Sequence, residues 1–178
     1  MKEKKSILNY ARETIEHQAN SIKNLYKLLT KDFEKAVNLI NNTKGRVIVS
    51  GIGKSAIIAQ KIVATFNSTG TPSIFMHAAD AIHGDLGLIQ NEDIIICISK
   101  SGNTPEIKAL VPFIKKTNNK LIAITGETNS YLSEKSDIVI SSYVDNEACP
   151  NNLAPTTSTT AQLVIGDAIA VCLVKLRG

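Results

Sequence analysis

Val47-Ile48-Val49-Ser50-Gly51-Ile52-Gly53-Lys54-Ser55-Ala56 is the stretch that decides the fold of this chain. It opens on three consecutive β-branched apolar residues, the pattern of a strand buried on both faces rather than one with a wet side. A glycine turn follows, then a helical stretch over 55–69 closed by Gly70. Strand, tight turn and helix in that order form the first half of a β-α-β unit, which makes a parallel sheet. The unit repeats downstream. Short continuous apolar runs recur at 73–76, 94–98, 121–124 and 138–140, with helical stretches at 105–117, 130–135 and 157–176. Five such runs predict an α/β three-layer sandwich with a five-stranded parallel sheet in flavodoxin-like order.

Upstream of the first strand the period changes. Ile7, Ala11, Ile15, Ala19, Ile22, Tyr26 and Leu29 step by three or four, which predicts a long amphipathic helix over 6–29. Thr30 is a candidate N-cap for a second helix carrying Phe33, Val37 and Ile40 on one face. Two helices before any strand read as an arm over the core or over a partner. The expected organisation is a helical extension, 1–44, and one compact domain, 45–178, consistent with a total of 178 residues.

Composition narrows the function classes. Apolar residues at 43% and charged residues at 20% exclude a disordered or fibrous chain. Aromatics are only 4%, with no Trp, which disfavours stacking on single-stranded nucleic acid. The net charge of +4 owes much to Lys2, Lys4 and Lys5, so no basic face for a phosphate backbone is implied. Cys97, Cys149 and Cys172 are an odd set with no CxxC pair, the signature of reduced thiols rather than disulfides or a zinc site. The apolar run at 163–174 is interrupted by Gly166 and Asp167 and is shorter than the ~20 residues of a bilayer span. The N-terminal lysines have no apolar segment behind them as a secretion signal would. A soluble cytoplasmic protein without nucleic-acid or membrane partners is expected.

Open parallel sheets bind ligands beyond the carboxyl ends of their strands, where strand order reverses. The turn carrying Gly51, Gly53, Lys54 and Ser55 is therefore a candidate ligand loop. It imitates two phosphate motifs and completes neither. After Gly51-x-Gly53-x-x-Ala56 the second strand ends at Phe75-Met76-His77 without an acid for a ribose. Before Gly53-Lys54-Ser55, the earlier glycine of a Walker loop is replaced by Ile48. The loop Ser99-Lys100-Ser101-Gly102-Asn103-Thr104-Pro105-Glu106 combines a cap position at Thr104, a proline at the first helical position and an acid in the first turn. Its three hydroxyls around a glycine exceed what a cap needs and suit a phosphate monoester. No base stands beside them to make a serine nucleophilic. His77 and His83, with Asp80 and Asp85 near them, do not have the spacing of helix-borne zinc ligands, so a structural or substrate-facing role is preferred and no metal is expected. Glu147 precedes a hydroxyl-rich helix start with Thr157 and Ser158, another terminus suited to an anion.

Taken together, Gly51-Ile-Gly-Lys-Ser, Ser68-Thr-Gly-Thr-Pro72, His83-Gly-Asp-Leu-Gly87, Ser99-Lys-Ser-Gly-Asn-Thr104, Glu147-Ala-Cys-Pro150 and Leu153-Ala-Pro-Thr-Thr-Ser-Thr-Thr160 resemble the sugar isomerase (SIS) domain over about the whole chain. More narrowly they resemble its arabinose 5-phosphate isomerases. The resemblance implies interconversion of D-ribulose 5-phosphate and D-arabinose 5-phosphate for Kdo, capsule or lipopolysaccharide synthesis, with no cofactor. It implies catalytic or substrate roles for Lys54, Glu106 and Glu147, with His83 nearby. Glu147 is the first choice of base and Glu106 its rival; Lys54 would stabilise charge and His83 would position a hydroxyl. Gly51, Gly53, Ser55, His77, Ser99, Ser101, Gly102, Asn103, Thr104, Thr157 and Ser158 are the expected substrate binders. Relatives continue into a His-Pro-Gly-Gly segment and many into CBS domains, whereas this chain ends at Leu176-Arg177-Gly178. A fragment that binds better than it turns over is the corresponding expectation. The resemblance also implies a homotetramer, or a dimer, with sites at subunit interfaces. The competing reading is a regulatory domain that binds a sugar phosphate or a CMP-Kdo-like end product, or an isomerase of another phosphosugar.

Overall fold

The computed structural model describes residues 6–178, so Lys2, Lys4 and Lys5 lie outside the described residues. Each expected apolar run is a strand: β1 Val47–Gly51, β2 Ser73–His77, β3 Ile94–Ser99, β4 Lys120–Thr125 and β5 Ile138–Ser141. They form one all-parallel sheet of order β2-β1-β3-β4-β5, the flavodoxin-like order. Every strand runs past its apolar residues, because ladder bonds continue after the last apolar side chain. The extra residues align in register. Gly51 stands beside His77 on one side and Ile98 on the other, Ser99 beside Thr125, and Thr125 beside Ser141. The carboxyl ends therefore make one polar rim.

The helices are α1 Ile7–Leu25, α2 Lys31–Asn42, α3 Lys54–Ser68, α4 Ala78–Ala81, α5 Pro105–Lys116, α6 Tyr131–Lys135 and α7 Thr157–Arg177. Ser6, Thr30 and Ser130 cap α1, α2 and α6 by accepting from a backbone N–H two or three residues on. Alternation along the strands sends Val47, Val49, Ile96, Ile98, Ile122 and Ile124 to one face, under α2, α3 and α7. Ile48, Ile95, Cys97, Leu121 and Ala123 go to the other, under α4, α5 and α6. This is the three-layer sandwich. The short helix α4 and a 3-10 turn at Asp85–Leu88 are not legible in the sequence, because four-residue helices carry no apolar period.

The boundary expected at residue 45 is not a structural division. Ala36, Val37 and Ile40 of α2 are buried in the same core as β1 and α7. The helix α1 does behave as an arm: apart from Leu25 its residues are not buried, and it lies along α7. At 21 residues α7 is long and apolar enough to cross a membrane by length and composition. Here its buried side packs on α3 so closely that a Cβ at Gly166 would collide with the Ile62 side chain. Asp167 on the same helix pairs with Lys61 of α3 at 2.6 Å.

Candidate active site

The chain reverses strand order between β1 and β3, and the two crossovers leave to opposite faces, α3 to one and α5 to the other. That opens a crevice between the turn at 51–55 and the loop at 99–104. Backbone geometry explains their glycines. Gly53 has φ +58° and ψ −128°, which only glycine adopts cheaply. Gly102 has φ +61°, and a Cβ there would collide with the Ser130 side chain.

Much of the hydroxyl chemistry expected of the second loop is engaged in shaping it. Ser99 Oγ accepts from the Gly102 N–H at 3.1 Å and Ser101 Oγ from the Asn103 N–H at 3.2 Å. Asn103 Oδ1 accepts from the Tyr131 N–H, tying the loop to α6. Thr104 behaves otherwise. It stands at the N-cap of α5, but its side chain makes no cap bond, and its Oγ1 is buried without a partner among the described residues. A buried hydroxyl left unmade costs about 1–3 kcal/mol, so a ligand atom that bonded it would recover that cost. Ser50 Oγ, His77 Nδ1 and Ser142 Oγ are orphaned in the same way, and all lie at the carboxyl rim. The fifth such atom, Asn119 Oδ1, lies at the opposite end of the sheet, just before β4.

Glu147 departs most from expectation. Its place in the sequence predicts a loop glutamate free to take a proton. In the structure its side chain is fully enclosed and its carboxylate is saturated. Lys100 Nζ donates to Oε1 at 2.7 Å, and the Ser158 hydroxyl donates to the same oxygen. Oε2 accepts from the Thr156 N–H at 2.8 Å, from the Thr156 hydroxyl at 3.2 Å and from the Ser158 N–H at 3.1 Å. The carboxylate thus caps α7 from a distance, at the positive end of the helix. Burial favours its neutral form, but bonds from Lys100, Ser158 and Thr156 outweigh that and hold it down to about 2. So weak an acceptor is a poor base near neutrality. Thr157 Oγ1 accepts from the Ala148 N–H, and both Thr157 and Ser158 are buried and tied into this turn.

The other expected residues divide by how free they are. Ser55 donates its hydroxyl to Gln162 Oε1 at 3.1 Å, linking α3 to α7. Lys54, first in α3, and His83, between α4 and the 3-10 turn, are exposed, and neither side chain makes a hydrogen bond or ion pair among the described residues. Glu106, second in α5, is half-buried and also unengaged there. His77 packs edge-on to Phe75 and holds Nδ1 3.7 Å from Asp80. Among the described residues no three His, Cys, Asp or Glu side chains gather as metal ligands.

Sequence reasoning misses four contributors. Lys100 is hidden between two loop serines whose hydroxyls are the more obvious phosphate donors. Gln162, 1% exposed in an otherwise apolar helix, is a legible signal. His17 Nε2, 3.0 Å from Asn146 O, and Gln18, which accepts from the Thr160 hydroxyl at 2.7 Å, pin α1 to the Glu147 turn. Nothing local in the sequence announces a contact made across more than a hundred residues.

The family model described as SIS domain matches residues 39–172. Arabinose 5-phosphate isomerase KpsF of Escherichia coli O6:H1 strain CFT073 is 48% identical over 172 residues, 96% of this chain and 53% of the relative. Arabinose 5-phosphate isomerase KdsD of Francisella tularensis strain SCHU S4 is 46% identical over 175 residues, 97% of this chain and 54% of the relative. The chain spans about half the length of these curated relatives. Among solved structures, a protein of E. coli CFT073 in complex with arabinose 5-phosphate superposes with a TM-score of 0.93 at 37% identity, covering 96% of this chain and 91% of that one.

Proposed function

The chain belongs to the SIS domain family, and from that premise we propose that it is an aldose–ketose isomerase interconverting D-ribulose 5-phosphate and D-arabinose 5-phosphate. The observation that carries this reading is the pairing of an unengaged carboxylate, Glu106, with unmet polar atoms at the strand ends where β1 and β3 part. The arabinose 5-phosphate complex of a relative matching nearly the whole chain, and the names of the curated isomerases, support the substrate.

The reaction moves one proton between neighbouring carbons through an enediolate. From the ketose, a base takes a C1 proton and negative charge develops on the carbonyl oxygen; the C1 hydroxyl proton passes to that oxygen, the proton on the base returns at C2, and C1 becomes the aldehyde. Glu106 is the base in this reading, replacing Glu147, because it alone of the two has lone pairs free. The phosphate lies against the 51–55 turn and Thr104, so that its binding energy orients the sugar. Lys54 offsets negative charge and His83 holds a sugar hydroxyl. NMR of D-ribulose 5-phosphate with this chain in deuterated water tests the proposal: new arabinose 5-phosphate with deuterium at C2 is the expected result. No exchange and no conversion would overturn it.

Exposed apolar residues of α1, Ile7, Leu8 and Ile15, support self-association, and the assembly in this reading is a homotetramer. A monomer by light scattering at micromolar concentration would overturn that part. Three unpaired cysteines support a cytoplasmic location. Kdo or capsule synthesis is the matching pathway, and a CMP-Kdo-like sugar nucleotide is the candidate effector, tested by its addition to the same assay.

A further inference from the structure

The geometry points to Lys100 as a substrate-contacting residue of this site, whose ammonium Glu147 holds in place to meet the negative charge of the enediolate. This rests on the isomerase reading above. Lys100 sits in the 99–104 loop, at the point where β3 delivers it to the rim. Its backbone carbonyl accepts from the Gly126 N–H at 3.1 Å, so the residue is fixed from below. Its Nζ is fixed from the side by Glu147 at 2.7 Å. An ammonium carries three donors, and among the described residues this one uses a single donor, on Glu147.

The asymmetry of the pair is informative. The glutamate side chain is 0% exposed, while the lysine is 48% exposed, at the edge of a cavity of about 300 Å³ that Ser101, Ser142 and Asn152 line together with the carboxylates Glu127 and Asp145. Lys54 is the contrasting case, a lysine with no partner among the described residues to set its direction. A cation fixed in advance stabilises developing charge without reorganising as the reaction proceeds, which is where such donors gain most.

The test compares Lys100→Gln and Lys100→Arg in the whole chain, with kcat and KM for D-ribulose 5-phosphate, melting temperature, and affinity for inorganic phosphate. For Lys100→Gln, kcat is expected to fall ~10²-fold, the scale of losing one oxyanion donor, while phosphate affinity stays unchanged. Lys100→Arg keeps the charge and should recover most of the loss. If Lys100→Gln lowers the melting temperature but turns over like the unmodified chain, Lys100 is a brace only and this inference is overturned, with the isomerase reading left standing. If the unmodified chain does not isomerise the substrate, both are overturned together.

Discussion

The loops after β3 and after β5 each present one glutamate near the same rim, and the two residues have opposite surroundings. Glu147 is enclosed, accepts from three residues and closes the first turn of a 21-residue helix. Glu106 stands in the first turn of α5 with no side-chain partner among the described residues. Both are acids near a helix start, and proximity to a helix start is all that sequence shows. The contrast teaches that a carboxylate surrounded by donors holds its turn together, and the proposed reading therefore gives the chemistry to the one left unsatisfied.

The strongest way to break the comparison is to neutralise each acid in turn. Glu106→Gln should reduce C2 proton exchange by ~10²–10⁴-fold, the usual contribution of a positioned base. Its unfolding midpoint in urea should hardly move, since no contact is lost. Exchange that survives in Glu106→Gln and vanishes in a folded Glu147→Gln would return the base to residue 147.

Glu147→Gln should act first on stability. The amide puts an N–H₂ where two backbone N–H groups and two hydroxyls donate, and the loss should be about 1–3 kcal/mol by chemical denaturation. A pH series sharpens the same point. The folded carboxyl is held down to about 2 against an ordinary 4.5, so the unfolded chain binds its proton more tightly. The stabilisation is therefore complete above pH 4.5, erodes as pH falls, and is gone below about 2. Asp93 and Asp137 are lowered as well, so only the difference between the unmodified chain and Glu147→Gln isolates this residue. Parallel stability curves through that window would show that Glu147 is not the held carboxylate described here.

The smallest effect concerns the hydroxyl of the 99–104 loop that nothing satisfies. Thr104→Val removes a hydroxyl bonded to no other described group, so stability should be unchanged or slightly raised. Sugar-phosphate affinity by calorimetry should fall by roughly tenfold, the worth of about one hydrogen bond to a charged group. Unaltered affinity would mean that the orphaned hydroxyl faces something other than the ligand.

How much of this is legible in the sequence depends on the range of the interactions. The five strands and their parallel pairing follow from continuous β-branched runs and β-α alternation, which are local signals, whereas the order 2-1-3-4-5 is reached only by likeness to flavodoxin-like sheets of five strands. The candidate loops are legible for the same reason, since Gly53 and Gly102 stand where φ is positive. The division of labour within the site is not. Whether Glu147 is open or saturated depends on Lys100 and Ser158 arriving from other parts of the chain. Exposed polar residues and buried, fully bonded ones look alike in one dimension.

The tie between α1 and α7 has a consequence for how the protein is made. His17 and Gln18 reach Asn146 and Thr160, and Glu147 closes onto Thr156 and Ser158, so the first helix and the last meet at the site turn. On the ribosome the sheet can pair as it emerges, but α1 lacks the helix it chiefly packs on until α7 leaves the exit tunnel. Until then Val49, Ile96 and Ile124 lack the Ile165 and Ile169 layer that helps cover them. Contacts of such high sequence separation slow folding. They also make the Glu147 turn the last part of the carboxyl rim to become rigid, well after the 51–55 and 99–104 loops.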